Sequence, residues 1–238
     1  MSVLNGKSAL ITGASKGMGK AIALALAVEG YDLAICSRNI EDLKELEEEI
    51  QKSNPSVKVH FKAFDFSLSK EVEKLAEWVE NHFPILDVLV NNVGIYERVS
   101  LLNEGPNVLG GHMQVNLYTP HYLSNYFGKM MRDAKKGHIF NITSIAAREP
   151  VTAAGSYTIT KFALSGLTKV LREELRESGV KVTEIIPGST LTSSWDGTEI
   201  PSEQFVQPED IAKVVLSCLS LSPGANIEEV VIKTLKGF

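Results

Sequence analysis

"SALITGASKGMGKAIALALAVEG" runs from Ser8 to Gly30, and its reading decides the fold. Ser8 to Thr12 is a short apolar run of the kind needed by a strand covered on both faces. Three glycines follow, Gly13, Gly17 and Gly19. Gly17 to Glu29 then reads as a helix, and Gly30 suits its C-terminal stop. Glycines in such a turn let the backbone approach a phosphate, and the helix behind them offers free N–H groups and its positive end. Two other glycine patterns fail here. The phosphate loop of the NTPases needs a glycine five positions after Gly13, where Met18 stands, and a Lys followed by Ser or Thr, whereas Lys20 is followed by Ala21. The G-x-G-x-x-G fingerprint needs a glycine at Ile22. What remains, Gly13-x-x-x-Gly17-x-Gly19, is still a turn for a pyrophosphate, with an ordinary βα turn as the plainer alternative.

The same alternation continues along the chain. "DLAIC" (32–36), "VKVHFKAF" (57–64), "LDVLVNN" (86–92), "HIFNIT" (138–143), "VKVTEIIP" (180–187) and "EEVVIK" (228–233) read as strands. Between them lie helical stripes: Ile40, Leu43, Leu46 and Ile50 behind an Asn39 cap; Val72, Leu75, Ala76 and Val79; the second part of 103–132; Leu164, Leu167, Leu171 and Leu175; and Ile211, Val214, Val215 and Cys218 behind Pro208. Repeated strand–helix units mean parallel strands with right-handed crossovers. The expected fold is α/β, a single-domain doubly wound (Rossmann-type) sheet spanning 1–238, with about seven parallel strands and helices on both faces. Such sheets bind ligands beyond the carboxyl ends of their strands.

Bulk composition narrows the function. The 238 residues are 44 % hydrophobic and carry a formal charge of −5. An acidic chain without a basic face does not read as a nucleic-acid binder. No secretion signal is seen at the N-terminus, and the apolar stretch Ala21 to Val28 is too short to span a bilayer. Cys36 and Cys218 fit buried thiols in a reducing compartment. The expected location is cytoplasmic, with no membrane partner and no metal.

The second strand ends in "ICSRN", with Ser37 and Arg38. Enzymes for NAD place an acid there for the ribose 2′-hydroxyl. Here the acid is missing and a cation is present, with Lys16 of the glycine turn able to reach the same space. That pattern suits a 2′-phosphate and therefore NADP(H).

Farther along, "GSYTITK" puts Tyr157 four residues ahead of Lys161, on one face of a helix. With Thr12-Gly-x-x-x-Gly-x-Gly19, Asp65 after the third strand, "NNVG" at Asn91 to Gly94, Asn116 in "QVNLYTP", Ser144 after the fifth strand and Pro187-Gly188, it makes seven motifs in fixed order. The chain from Lys7 to about Lys233 thereby resembles the compact, single-domain short-chain dehydrogenase/reductases. The resemblance implies that Tyr157 is the general acid of carbonyl reduction. Lys161 would lower the phenol pKa and hold the nicotinamide ribose. Ser144 would bond the substrate oxygen, and Asn116 would hold a water that relays protons. Gly13, Ser15, Lys16, Gly17, Met18, Gly19, Ser37, Arg38, Asp65, Asn92, Gly94, Tyr157, Lys161, Pro187, Gly188, Thr190 and Thr192 are the expected cofactor contacts. Asp65 would meet the adenine ring, Asn91 would brace the sheet, and Thr192 would hold the carboxamide. The plainer readings are an exposed Tyr157–Lys161 pair, a strand-end cap at Ser144 and a polar helix residue at Asn116.

Residues 189–206, rich in Ser, Thr, Gly and Pro, read as a mobile substrate lid carrying Trp195 and Phe205. Tyr96 and Val151 would form the opposite wall. Arg98 and Arg148 read as surface arginines ahead of contacts to an anionic substrate. The C-terminal sequence looks closest to sepiapterin reductase-like and broad carbonyl reductases, so the expected substrate is a small-molecule carbonyl. A 3-oxoacyl-carrier-protein reductase and a catalytically silent dinucleotide sensor are the alternatives. The resemblance also implies a homodimer or homotetramer paired through the fourth and fifth helices.

Overall fold

The computed structural model describes residues 7–236; residues 1–6 and 237–238 of the expected domain lie outside them. The chain opens with β1 (Ser8–Thr12), α1 (Gly17–Val28), β2 (Asp32–Ser37), α2 (Ile40–Ser53), β3 (Val59–Ala63), α3 (Ser69–His82) and β4 (Val88–Asn91). It continues with α4 (Val108–Met113), α5 (Thr119–Ala134), β5 (Gly137–Ile142), α6 (Gly155–Leu175), β6 (Val180–Pro187), α7 (Pro208–Leu219) and β7 (Glu229–Ile232). All seven strands join one parallel sheet in the order β3-β2-β1-β4-β5-β6-β7. The chain runs outward from β1 to β3, then returns to place β4 on the other side of β1. That reversal makes β1 and β4 the switch point of the sheet, where a crevice opens beyond the strand ends.

Alternation within the strands builds the two faces. Ala9 and Ile11 join Ile22, Leu26, Leu43, Leu46, Ile211 and Val215 under α1, α2 and α7. Leu10, between them, joins Leu75, Val79, Leu123, Phe127 and Leu175 under α3, α5 and α6. Local signals hold where they were read. Asn39 caps α2 by accepting from the Glu41 N–H at 3.0 Å. Pro208 opens α7, where Gln207 and Asp210 form a capping box. Gly30 takes φ +80° beyond α1.

Two stretches differ from expectation. β3 begins at Val59 rather than 57, because Asn54 turns the chain by accepting from the Val57 N–H at 3.3 Å. The single helix expected within 103–132 is α4 followed by a π-turn, Gln114–Tyr118, and then α5. A π-turn inserts an extra residue into the helical register, and such insertions occur mostly at functional sites. This one carries Asn116, fully buried.

A polar chain crosses the interior. The Asn91 side-chain amide donates to Ser124 Oγ at 2.9 Å and to Asn141 Oδ1 at 2.8 Å. Asn141 in turn donates to Thr168 Oγ1 at 2.8 Å. These bonds tie β4 and β5 to α5 and α6, so Asn91 braces the sheet as the resemblance implied. Asn91→Ala would leave two buried acceptors without their donor, and the expected cost is about 1–3 kcal/mol. Urea unfolding of the variant beside the wild type measures it; an unchanged midpoint would contradict the brace.

Candidate active site

The crevice starts at the glycine turn. Gly13 and Gly17 adopt φ +66° and +55°, a region that favours glycine. A Cβ at Gly19 would lie 2.3 Å from the Gly13 carbonyl oxygen, so only glycine fits. Asn92 locks the turn to β4, its amide donating to Thr12 O at 2.9 Å and Gly13 O at 3.0 Å. Thr12 Oγ1 accepts from the backbone N–H groups of Asn92 and Val93. The first turn of α1 holds no acid and no side-chain cap. The result is a backbone cradle facing a positive helix end, which fits a dinucleotide pyrophosphate. Ser15 is half-buried and Lys16 exposed at its rim. Met18 packs partly against the core, so its side chain is not part of the cradle. The Thr192 methyl borders the turn, 3.1 Å from where a Gly17 Cβ would be.

At the end of β2, Arg38 is exposed, while Ser37 is buried with its hydroxyl donating to Asn39 O at 3.1 Å. Asp65 follows β3 and lies close enough to Arg38 to feel its charge. Two hydrogen bonds from Ser67 and then that charge hold the Asp65 carboxyl below the ordinary value. Its Oδ1 is engaged by the Ser67 N–H at 2.9 Å and hydroxyl at 2.7 Å. At the end of β6, Pro187 and Thr190 are buried. The Gly188 N–H donates to Ile232 O at 2.7 Å, and Thr190 Oγ1 donates to Gly188 O at 3.2 Å.

Ser144, Tyr157 and Lys161 meet beyond β5. Ser144 caps the short turn Ile145–Ala147 by accepting from the Ala146 N–H at 3.1 Å, and it lies close enough to the Tyr157 phenol to lower its pKa. The strand-end cap and the site residue are thus the same side chain. Tyr157 and Lys161 share one face of α6, but the ammonium does not sit on the phenol oxygen. Lys161 Nζ lies 5.6 Å from the Tyr157 ring centroid and donates to Ile142 O at 3.0 Å. The expected lowering of the phenol by Lys161 is therefore not what this geometry gives. Burial raises the Tyr157 pKa above the ordinary tyrosine value, Ser144 pulls it back, and Tyr96 pushes it up. Burial lowers Lys161 to about 8, with Glu184 acting in the opposite sense.

Asn116 is held at both ends of its side chain. Its amide donates to Ile95 O at 3.0 Å and Thr160 Oγ1 at 3.1 Å, and its Oδ1 accepts from the Ile95 N–H at 2.8 Å. Both amide donors are engaged inside the protein, so the side chain also braces the site. Gly94 lies between this Oδ1 and Lys161 Nζ, 3.5 and 3.7 Å from where its Cβ would be. A Cβ there would touch both at ordinary van der Waals distance, so this position lies against the π-turn and α6 without demanding glycine.

The proposed walls separate into two groups. Tyr96, 45 % exposed, meets the Tyr157 ring edge-on with centroids 5.0 Å apart. Val151 O accepts from Thr158 Oγ1 at 3.2 Å, fixing it against the first turn of α6. Trp195 and the buried Phe205 contact each other edge-on at 5.0 Å. Their segment contains two short turns, and its ends are joined where Leu191 N–H donates to Val206 O at 2.9 Å. Arg98 is exposed, but Arg148 is not a surface residue awaiting substrate: it is ion-paired with Glu184 and Glu229. Among the described residues no cluster could hold a metal, and no helix is long and apolar enough to cross a membrane. Cys36 and Cys218 are buried free thiols.

A parallel sheet with its switch point at a glycine cradle and a Ser–Tyr–Lys set beyond β5 defines a dinucleotide-dependent oxidoreductase architecture. The short chain dehydrogenase family model matches residues 7–200, and the chain belongs to that family of oxidoreductases. A Staphylococcus aureus (strain USA300) protein described as an uncharacterized oxidoreductase is 30 % identical over 236 residues, covering 98 % of this chain and 99 % of the relative. A metagenomic short-chain oxidoreductase solved in complex with NADP superposes with TM-score 0.85 at 32 % identity, over 99 % and 100 % of the two chains. An alcohol dehydrogenase from the archaeon Thermococcus sibiricus, complexed with 5-hydroxy-NADP, gives TM-score 0.87 at 28 % identity, over 96 % and 97 %.

One residue that the sequence did not signal fastens α6. Glu104 accepts from the Ser156 N–H at 2.7 Å and from its hydroxyl, capping α6 beside Tyr157 from outside the helix. These bonds, the hydroxyl's first, hold the Glu104 carboxyl below the ordinary glutamate value. A depressed carboxylate stabilises the fold above its unfolded pKa and loses that contribution as pH falls through the folded one. The stability advantage of wild type over Glu104→Gln should therefore be full at neutral pH and shrink as pH falls below about 4.3. Urea unfolding of both proteins along a pH series measures it; a difference independent of pH would contradict the cap.

Proposed function

We propose that the chain is an NADP(H)-dependent reductase of carbonyl compounds, able to oxidise secondary alcohols in reverse, with Tyr157 as general acid. The observation that carries this reading is the convergence of Ser144, Tyr157 and Lys161 beyond β5. Bound NADP(H) would supply or accept the hydride. A phenol raised above its ordinary value keeps its proton at neutral pH and can give it to a carbonyl oxygen as charge grows there. Ser144, beside that phenol, would donate to the same oxygen. The Lys161 ammonium, beside the Tyr157 ring, would hold the nicotinamide ribose. Asn116 supports the site by joining the Ile95 backbone to Thr160 on α6.

The glycine cradle fits the pyrophosphate, and exposed Lys16 and Arg38, with no acid directly after β2, favour a 2′-phosphate. The NADP-type ligands of the two solved relatives agree with that choice. Tyr96, Val151, Trp195 and Phe205 would enclose an uncharged, partly aromatic substrate, since Arg148 is already spent on carboxylates. Exposed Ile159, Phe162 and Val170 on α6 suit pairing with a second copy through α5 and α6. A carrier-protein thioester is a weaker candidate, because a chain of charge −5 offers little to an acidic partner.

Kinetics on a panel of ketones, aldehydes, diketones, pterins and oxoacyl thioesters test the reading. Tyr157→Phe should lower kcat roughly a hundredfold to ten thousandfold while leaving NADPH affinity nearly unchanged. Lys161→Ala should lower kcat and weaken NADPH binding, read by cofactor fluorescence. A Tyr157→Phe enzyme retaining most of its kcat, with chemistry rate-limiting, would refute the acid. The Lys161 amine is charged below about 8 and neutral above, so reduction should decline as pH rises through that value. The two groups titrate together, and the observed midpoint belongs to the pair.

Cofactor choice gives a separate prediction. kcat/KM should favour NADPH over NADH roughly tenfold to a hundredfold, and Arg38→Asp should reverse the preference. Equal values for the two cofactors in the wild type would remove the 2′-phosphate site.

A further inference from the structure

Glu184 is a carboxylate in the middle of β6 with 0 % exposure. An ionised group there is costly unless neighbours replace its water. Its neighbours come from three directions. From the end of β5, Thr143 Oγ1 donates to Oε1 at 2.9 Å. From α6, Ser165 Oγ donates to Oε2 at 3.0 Å. From the turn after Ser144, Arg148 Nη2 reaches Oε2 at 3.4 Å and bridges to Glu229 of β7 at 2.5 Å. Lys169 of α6 approaches the same Glu229 at 3.7 Å.

Thr143 is the residue before Ser144, and Ser165 is one helical turn beyond Lys161. One carboxylate therefore joins the two segments that present the Ser–Tyr–Lys set. We propose that Glu184 is a positioning residue for the reductase chemistry, clamping the Ser144 and Lys161 segments together and giving the Lys161 ammonium its countercharge. The clamp stands on the bonds from Thr143, Ser165 and Arg148; the role in the reaction rests on the reductase reading. Glu184 is the charge that acts on Lys161, with the Tyr157 ring beside the amine; Arg148 beyond β5 faces that carboxylate and, through Glu229 on β7, Lys169 of α6 joins the same group. His112 on α4 acts instead on Glu104. Glu184 raises the Lys161 pKa against the lowering effect of burial, in keeping with a countercharge.

The test reads the Lys161 amine in the cofactor-free protein, by NMR of 13C-lysine-labelled samples from neutral to alkaline pH, with the resonance assigned by its loss in Lys161→Met. Glu184→Gln, which keeps the shape and removes the charge, should move the Lys161 midpoint down by about one pH unit. Arg148→Met removes the opposing cation and leaves the carboxylate, so it should move the midpoint up. It also keeps the claim testable if Glu184→Gln fails to fold. In both variants the alkaline limb of kcat/KM for carbonyl reduction should shift with the NMR midpoint. A merely structural glutamate would lower activity equally at every pH and leave the midpoint alone. Midpoints that coincide with wild type, or midpoints that move without the rate profile following, would overturn the proposal. Failure of the reductase reading looks different: the wild type then reduces none of the panel with NADPH, which overturns the role in the reaction even where the midpoints move.

Discussion

A lysine amine buried at the end of β5 is the constraint on which the site depends. Lys161 is 4 % exposed, and burial lowers its pKa to about 8. Three features oppose that lowering or exploit it. The Ile142 carbonyl accepts from Nζ, so strand and helix are fixed to each other at the point where chemistry would occur. Glu184 supplies negative charge from β6. The Tyr157 ring lies against the ammonium, which places an acid within its field. Each needs a different strand or helix in register, which explains why the polar chain through Asn91, Asn141 and Thr168 runs behind this spot.

The sheet order sets the rest. Because β4 returns to the side of β1, the glycine turn and the end of β4 face each other across the switch point. Asn92 and Thr12 close that gap with hydrogen bonds, making the cradle a rigid feature of the sheet rather than a flexible loop. Beyond it, β5 and α6 present the Ser–Tyr–Lys set. Glycine cradle and phenol are thus held by neighbouring strand ends of a single sheet.

Much of this was legible in the sequence because it is local. The glycine turn, the Asn39 cap, the Pro208 start and the shared face of Tyr157 and Lys161 all depend on residues within a few positions of each other. What the sequence concealed is contact between distant segments. Spacing i, i+4 puts Lys161 beside the Tyr157 ring, but only the fold shows that its amine meets Ile142 O instead of the phenol oxygen. Asn116 was visible as a polar residue, yet the π-turn that directs its amide to Ile95 and Thr160 has no simple composition signal. Glu104 lies in an irregular loop, and nothing nearby marks it as the cap of a helix that starts at Gly155. Glu184 did leave a trace, a lone acid within the apolar strand "VKVTEIIP", and Arg148 was its unread partner.

The central claim is that this crevice passes a hydride between NADP(H) and a carbonyl carbon. Deuterium transfer tests it most directly: the protein is incubated with NADPH deuterated at the nicotinamide C4 and the carbonyl panel, and the products are analysed by mass spectrometry. The account predicts an alcohol carrying the label on its carbinol carbon, formed by the wild type and nearly absent with Tyr157→Phe. A protein that binds NADPH yet yields no labelled alcohol from any class of carbonyl would contradict it.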